Sequence, residues 1–207
     1  MSDFLHLEYG HILDYEPDEL SKFSDDWCNS IVDSKRQKES QLARLLLDKI
    51  CLRIIDKTLA EALFKKDVSG RPYFENYPDL FISITHSHGH VLTAIASSPI
   101  GIDFEKIDPS FKNDLKIAFD EADWQLVSND CIQIYKYFSL KESYSKMIGT
   151  GFTLEPSEIK INSLQHKTFI NIFENKSSSF IFTLIAQNFE PNNYLNLNQY
   201  LQELPYE

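Results

Sequence analysis

Pro99-Ile100-Gly101-Ile102-Asp103-Phe104-Glu105-Lys106 sets two carboxylates among apolar residues, and the chain is organised around this stretch. Val91 to Ala96, just upstream, is an apolar run that reads as a buried strand. Ser97-Ser98-Pro99 supplies turn chemistry, and Ile100 to Glu105 reads as the returning strand. Asp103 and Glu105 are two apart, so an extended backbone sends both from one face, while Ile102 and Phe104 point into the core. Adjacent like charges repel unless a cation lies between them or one keeps its proton. Oxygen-only donors suit a hard ion such as Mg²⁺, which takes one or two carboxylates together with substrate phosphates. An acidic strand end lying in solvent satisfies the same pattern.

The 207 residues, 43% apolar and 13% aromatic, suffice for one large domain or two small ones. No run approaches a membrane span, and Met1-Ser2-Asp3-Phe4 lacks the basic and apolar parts of a signal peptide. Cys28, Cys51 and Cys131 are scattered and odd in number, which indicates neither a disulfide framework nor a zinc cluster. The expected location is the cytoplasm. A net charge of −11 argues against general nucleic-acid binding. Residues 34–66 nevertheless hold nine Lys or Arg against four Asp or Glu, a basic segment suited to an anionic ligand or to a solvated helix face.

Outward from the centre, residues 4–15 alternate as an edge strand, and Pro17 to Asn29 reads as a short helix carrying Phe23 and Trp27 on one face. Ser34 is positioned to cap a helix running to about Ile55, with Lys35, Arg36 and Lys38 in its first turns, where free N–H groups favour anions. A further helix is expected over Thr58 to Phe64. Gly70 suits a left-handed turn, and Pro72 pushes Arg71 into an extended conformation. Phe81 to Thr85 reads as a strand entering His86-Ser87-His88-Gly89-His90. Alternating histidines invite a zinc site, but Gly89 implies a turn that scatters them, and one histidine bonding a phosphate is the stronger reading.

Downstream, Leu115 to Val127 reads as helical, and Cys131 to Ile148 as a long helix closed by Gly149. Phe138, Glu142 and Lys146 line one stripe of it, and Tyr137, Leu140, Tyr144 and Met147 an inward one. Glu142 and Lys146 make an ordinary surface ion pair unless their stripe faces Asp103 and Glu105. Ile159 to Ile161, Phe169 to Phe173 and Phe180 to Ala186 read as strands, with a hairpin turn at Asn175-Lys176-Ser177-Ser178.

Gly70-Arg71-Pro72, Ile82-Ser83-Ile84-Thr85-His86-Ser87, Gly101-Ile102-Asp103-Phe104-Glu105 and Phe138-Ser139-Leu140-Lys141-Glu142-Ser143-Tyr144-Ser145-Lys146-Met147-Ile148-Gly149 occur in that order. Together they resemble the 4′-phosphopantetheinyl transferase superfamily, specifically its Sfp type, over roughly residues 34–152. Phe138 stands where many members have Trp. The resemblance implies an α+β pseudo-dimer of two similar halves, each a helix packed on a small antiparallel sheet, with the active site in the cleft between them. The expected division is an N-terminal half at 1–103 with the basic coenzyme A-binding segment and a C-terminal half at 104–207 with the metal-binding helix. No internal sequence repeat shows this, and no counterpart of the acidic pair is visible in the first half.

The implied reaction moves the 4′-phosphopantetheine arm of coenzyme A onto a serine of an acyl- or peptidyl-carrier protein, releasing 3′,5′-adenosine bisphosphate. By resemblance, Asp103, Glu105 and Glu142 surround Mg²⁺, and Glu142, directly or through a metal-bound water, takes the serine proton. Lys146 contacts a phosphate. His86 lies near the 3′-phosphate of coenzyme A with Arg71 and Ser87 as neighbours, and Lys35, Arg36 and Arg44 supply the basic segment. The carrier docks beside the cleft through apolar contacts and basic groups such as Lys112 or Lys116. A complete site in one chain implies a monomer. The alternatives are a Mg²⁺-dependent phosphodiesterase or nuclease, against which the acidic surface argues, and a silent binding module.

Overall fold

The structure, a computed structural model, describes residues 4–149, 155–164, 169–175 and 180–187. In chain order its elements are β1 (Leu5–His11), α1 (Pro17–Ser21), α2 (Asp26–Ser30), α3 (Ser34–Ile55), β2 (Phe64–Lys66), β3 (Pro72–Phe74), β4 (Phe81–Ser87), β5 (His90–Ala96), β6 (Ile100–Lys106), α4 (Glu121–Val127), α5 (Cys131–Ile148), α6 (Ile161–Leu164), β7 (Phe169–Asn175) and β8 (Phe180–Ala186). The class is α+β, as expected.

Two three-stranded antiparallel sheets, ordered β1-β5-β4 and β6-β8-β7, each carry one long helix. Helix α3 lays Leu42, Leu45, Leu46, Leu47 and Ile50 on Ile82, Val91 and Ile95 of the first sheet. Helix α5 lies against β6 and β8 of the second. Each of these sheets and its helix thus follow the chain order strand, long helix, strand, strand, with the last strand in the middle of the sheet. One apolar cluster joins them: Leu92, Ala94 and Ala96 of β5 pack with Ile102 and Phe104 of β6 and Phe182 and Leu184 of β8.

Several expectations need correction. β6 does not pair with β5 as its returning strand, because β5 is already bonded on both edges by β1 and β4. β6 opens the second sheet instead, so a division at 103/104 falls inside a strand. Its free edge meets β4 through side chains: Ser83 Oγ accepts the Ile102 N–H at 3.0 Å, and Thr85 Oγ1 the Phe104 N–H at 3.1 Å.

The helix expected over Pro17 to Asn29 is two, because Asp25 caps the second through the Cys28 N–H. Helix α3 is capped by Asp33, whose carboxylate accepts from the Arg36 N–H, and not by Ser34. It stops at Asp56 in the left-handed region, and residues 59–63 form turns that lead into β2 instead of a helix. Leu115 to Val127 breaks at Phe119-Asp120 into a 3-10 turn (Asp114–Ala118) and α4. Pro156 starts a 3-10 turn and α6 follows where Ile159 to Ile161 suggested a strand. Residues 176–178 of the expected hairpin turn lie outside the described residues.

Gly101 sets how near α5 comes to β6. A Cβ on it would stand 1.7 Å from the Ser143 carbonyl oxygen and 2.8 Å from the Met147 nitrogen, both backbone atoms. Gly101→Ala must push helix and strand apart, at a cost of about 3 kcal/mol or more, the upper end of ordinary overpacking. Gly70→Ala meets nothing within 4 Å but keeps a φ of +84°, so its cost is about 1–2 kcal/mol of left-handed strain. Denaturant unfolding of both variants checks the order, and an equal or smaller loss for Gly101→Ala would refute the close-contact account.

Candidate active site

The seam between α5 and the second sheet is built of small polar residues. Ser139 and Ser143 Oγ both bond Thr183 Oγ1, at 2.9 and 2.6 Å, and all three are buried. Thr183 stands opposite Asp103 in the β6–β8 register. Tyr137, Leu140, Tyr144 and Met147 pack on Ile159, Leu164 and Ile185, the inward stripe expected from the sequence. Glu142 and Lys146 are therefore carried toward the acidic strand.

Lys146 Nζ donates to Asp103 Oδ1 at 2.7 Å and to the Ile102 carbonyl at 3.1 Å. Its salt bridge is with Asp103, so the bland i,i+4 surface pair with Glu142 is not what forms. Thr85 Oγ1 also donates to Asp103 Oδ1, at 3.2 Å, while the buried Oδ2 has no hydrogen-bond partner. Ser87 Oγ donates to Glu105 Oε2 at 3.3 Å. Burial first, and then the Asp103 charge, push Glu105 up to about 8 and raise Glu142 above the usual carboxylate range. Three carboxylates and one lysine thus share a poorly solvated site.

Such a set fits a hard divalent cation in donor type, in its unanswered Asp103 oxygen and in its excess negative charge. Among the described residues, however, no three His, Cys, Asp or Glu side chains already close around an ion. An open set of donors still suits Mg²⁺, which needs only one or two carboxylates when phosphate oxygens complete its shell. The histidines are scattered, as Gly89 implied: His88 and Gly89 turn the β4–β5 hairpin with φ of 56° and 92°.

The residues expected around coenzyme A divide. His86 Nδ1 pairs with Glu39 Oε2 at 2.9 Å, and Glu39 also accepts the Gly89 N–H at 2.7 Å. Burial works to raise the Glu39 carboxyl, but the His86 and Gly89 bonds outweigh it and hold it low. The sequence reading missed Glu39, although it lies on the same helical stripe as Leu42, Leu46 and Ile50 and so had to be buried. Lys35, exposed in the first turn of α3, is near enough for its charge to act on Glu39 and His88, and Arg36 is exposed beside it.

Arg44 does not join them. It is buried and donates Nε and Nη2 to Asp25 Oδ2 at 3.0 and 2.7 Å and Nη1 to Ser40, tying α2 onto α3. Arg71 does not stand beside His86 either. Its guanidinium lies against Gly149 and over the Phe81 ring, at the other end of β4. Ser87 belongs with Glu105, not with the His86 imidazole.

A sequence model described as the 4′-phosphopantetheinyl transferase superfamily matches residues 99–196, which include both β6 and α5. A 4′-phosphopantetheinyl transferase of Aneurinibacillus migulanus is 30% identical over 168 residues, covering 77% of this chain and 69% of that protein. The chain belongs to the 4′-phosphopantetheinyl transferase superfamily. The Sfp transferase of Bacillus subtilis (strain 168) is 28% identical over 132 residues, covering 61% of this chain and 59% of that protein. Another Bacillus subtilis 4′-phosphopantetheinyl transferase is 37% identical over 90 residues, covering 41% of this chain and 40% of that protein. Superfamily membership thus accords with the order of the four sequence motifs, and Asp103, Glu105, Glu142 and Lys146 all lie within the matched span.

The raised Glu105 carboxyl predicts how the metal-free protein responds to pH. Its folded value, about 8, lies above its ordinary 4.5, so the folded state holds a proton that the unfolded chain has released. The stabilisation is full below about pH 4.5 and is lost as pH rises through about 8. Glu105→Gln stays neutral and lacks this dependence. Thermal unfolding of both proteins from acid to mildly alkaline pH should show wild type losing ground to the variant, and parallel curves would contradict the burial account.

Proposed function

We propose that this chain transfers the 4′-phosphopantetheine arm of coenzyme A to a serine hydroxyl of an acyl- or peptidyl-carrier protein, releasing 3′,5′-adenosine bisphosphate, with Mg²⁺ as cofactor. The observation that carries the reading is the unpartnered Asp103 Oδ2 inside a cluster of Glu105, Glu142 and Lys146, on a chain of this superfamily. Asp103, Glu105 and Glu142 would hold the ion. When bound, Mg²⁺ neutralises charge developing on the pyrophosphate.

The serine oxygen attacks the β-phosphorus, a new P–O bond forms, and the bond to the oxygen bridging to the α-phosphate breaks, leaving 3′,5′-adenosine bisphosphate. Glu142, with a raised pKa, is a stronger base than an ordinary carboxylate and accepts the serine proton, directly or through a water. Lys146, already directed at the acidic strand, places a point charge on a phosphate oxygen. Lys35, Arg36 and His86 form the basic end for the 3′-phosphate, and the charges beside Lys35 support that grouping.

The two halves are read as a pseudo-dimer about a pseudo-two-fold axis, with the cleft along the β4–β6 seam. The repeated strand order supports this, with the division placed in the turn at Ser97–Pro99. The carrier docks on the segment after β6, where Phe111 and Ile117 are exposed next to Lys112 and Lys116. The chain is read as a cytoplasmic monomer, and no helix among the described residues is long and apolar enough to cross a membrane. A phosphodiesterase reading has only the carboxylates to support it.

Incubation with apo-carrier protein, Mg²⁺ and fluorescent coenzyme A tests the assignment. Wild type should label the carrier serine, and Asp103→Ala should not. Cleaved DNA without labelling would favour the phosphodiesterase. Glu142→Gln keeps one carbonyl ligand but cannot act as a base, so its rate should fall about 100- to 10,000-fold, with only partial recovery in excess Mg²⁺. A near-normal rate for that variant at low Mg²⁺ removes Glu142 from the chemistry.

A further inference from the structure

Strand β4 places Ser83, Thr85 and Ser87, two apart, on the face turned to β6, and all three are buried. Ser83 only bridges backbone, accepting the Ile102 N–H. Thr85 does more. A hydroxyl has one proton, and Thr85 Oγ1, having accepted the Phe104 N–H at 3.1 Å, gives that proton to Asp103 Oδ1 at 3.2 Å. Lys146 Nζ reaches the same oxygen at 2.7 Å. Oδ1 is thereby answered twice and Oδ2 not at all.

We propose that Thr85 is a positioning residue that fixes Asp103 by its Oδ1 and so presents Oδ2 as the metal-ligating oxygen. The inference rests on the Mg²⁺ reading above. Groups that hydrogen-bond a ligating carboxylate set its orientation, and their loss typically weakens metal affinity by about 10- to 100-fold. Thr85 does not touch the reacting atoms; it acts through Asp103.

The test is Mn²⁺ binding, followed by loss of the free-ion electron paramagnetic resonance signal with and without coenzyme A, alongside thermal unfolding. Thr85→Val keeps shape but loses the hydroxyl, and should weaken Mn²⁺ binding about 10- to 100-fold. Thr85→Ser should restore it. Ser83→Ala leaves a buried backbone N–H unanswered but touches no carboxylate, so it should lower Tm and leave Mn²⁺ affinity unchanged. Should the valine variant not fold, Thr85→Cys, with its weak donor, replaces it under the same expectation. Equal affinity for wild type and the valine or cysteine variant overturns the proposal, as does an equal weakening in Ser83→Ala. A wild type that binds no Mn²⁺ overturns the metal reading itself and this inference with it.

Discussion

The backbone contact of α5 with β6 at Gly101 is the constraint from which the candidate site follows. Interaxial and helix–sheet spacings near 10 Å are usual because side chains fill the gap. Here the gap is filled by hydrogen, and by Ser139, Ser143 and Thr183, whose hydroxyls satisfy one another without taking up volume. A helix set that close brings Lys146 onto Asp103, and Glu142 one turn away near enough to feel the same charge. A bulkier seam would leave the same residues too far apart to interact.

Two lysines on α5 show how burial decides role. Lys141 is wholly buried and donates to Asp123 and to the Ala118 carbonyl, while Asp123 also accepts the Ile161 N–H. Burial lowers the Lys141 pKa, and Asp123 works against that. Such a pair contributes little net stability, but losing one partner leaves an uncompensated charge in the core. It ties α4, the turn before it and the start of α6 onto one side of α5. Lys146 stays partly exposed and pairs with Asp103, a partner that phosphate oxygens replace under the proposed reading.

The second half was the more legible in sequence. Gly149 marks the end of α5, and alternation of Ile102, Asp103, Phe104 and Glu105 gives β6 its two faces without help from tertiary contacts. The errors lie where tertiary partners override local pattern. Nothing local says that β5 has no free edge, so the apolar run and turn before Ile100 read as a simple hairpin. Arg44 reads as a free cation on a basic helix because its partner, Asp25, caps a helix whose own boundaries were hidden by the single-helix pattern of Pro17 to Asn29. Glu39 lies in no motif, and nothing within the 82–87 motif singles out Thr85; their importance lies in a strand seam and a hairpin turn that only the fold assembles.

The acidic pair appeared to have no counterpart in the first half, yet the strand registers supply one for its first member. Leu5 faces Ala96 as Ile100 faces Ala186, which sets Glu8 opposite Thr93 as Asp103 is opposite Thr183. Glu8 pairs with Arg53 of α3 at 2.5 Å, as Asp103 pairs with Lys146 of α5. The equivalence then fails at the residues that matter. Glu105 corresponds to Gly10, and the place its side chain would occupy is covered by the Tyr15 ring, 3.2 Å from a Cβ built there. One turn before Arg53, where α5 has Glu142, α3 has Lys49, which lies over the Tyr15 ring. One carboxylate among two cations has no surplus negative charge to draw in a metal, whereas three carboxylates with one lysine do. Under the proposed pseudo-two-fold, the halves share a backbone and one ion pair, and two substitutions of charge confine the chemistry to the second.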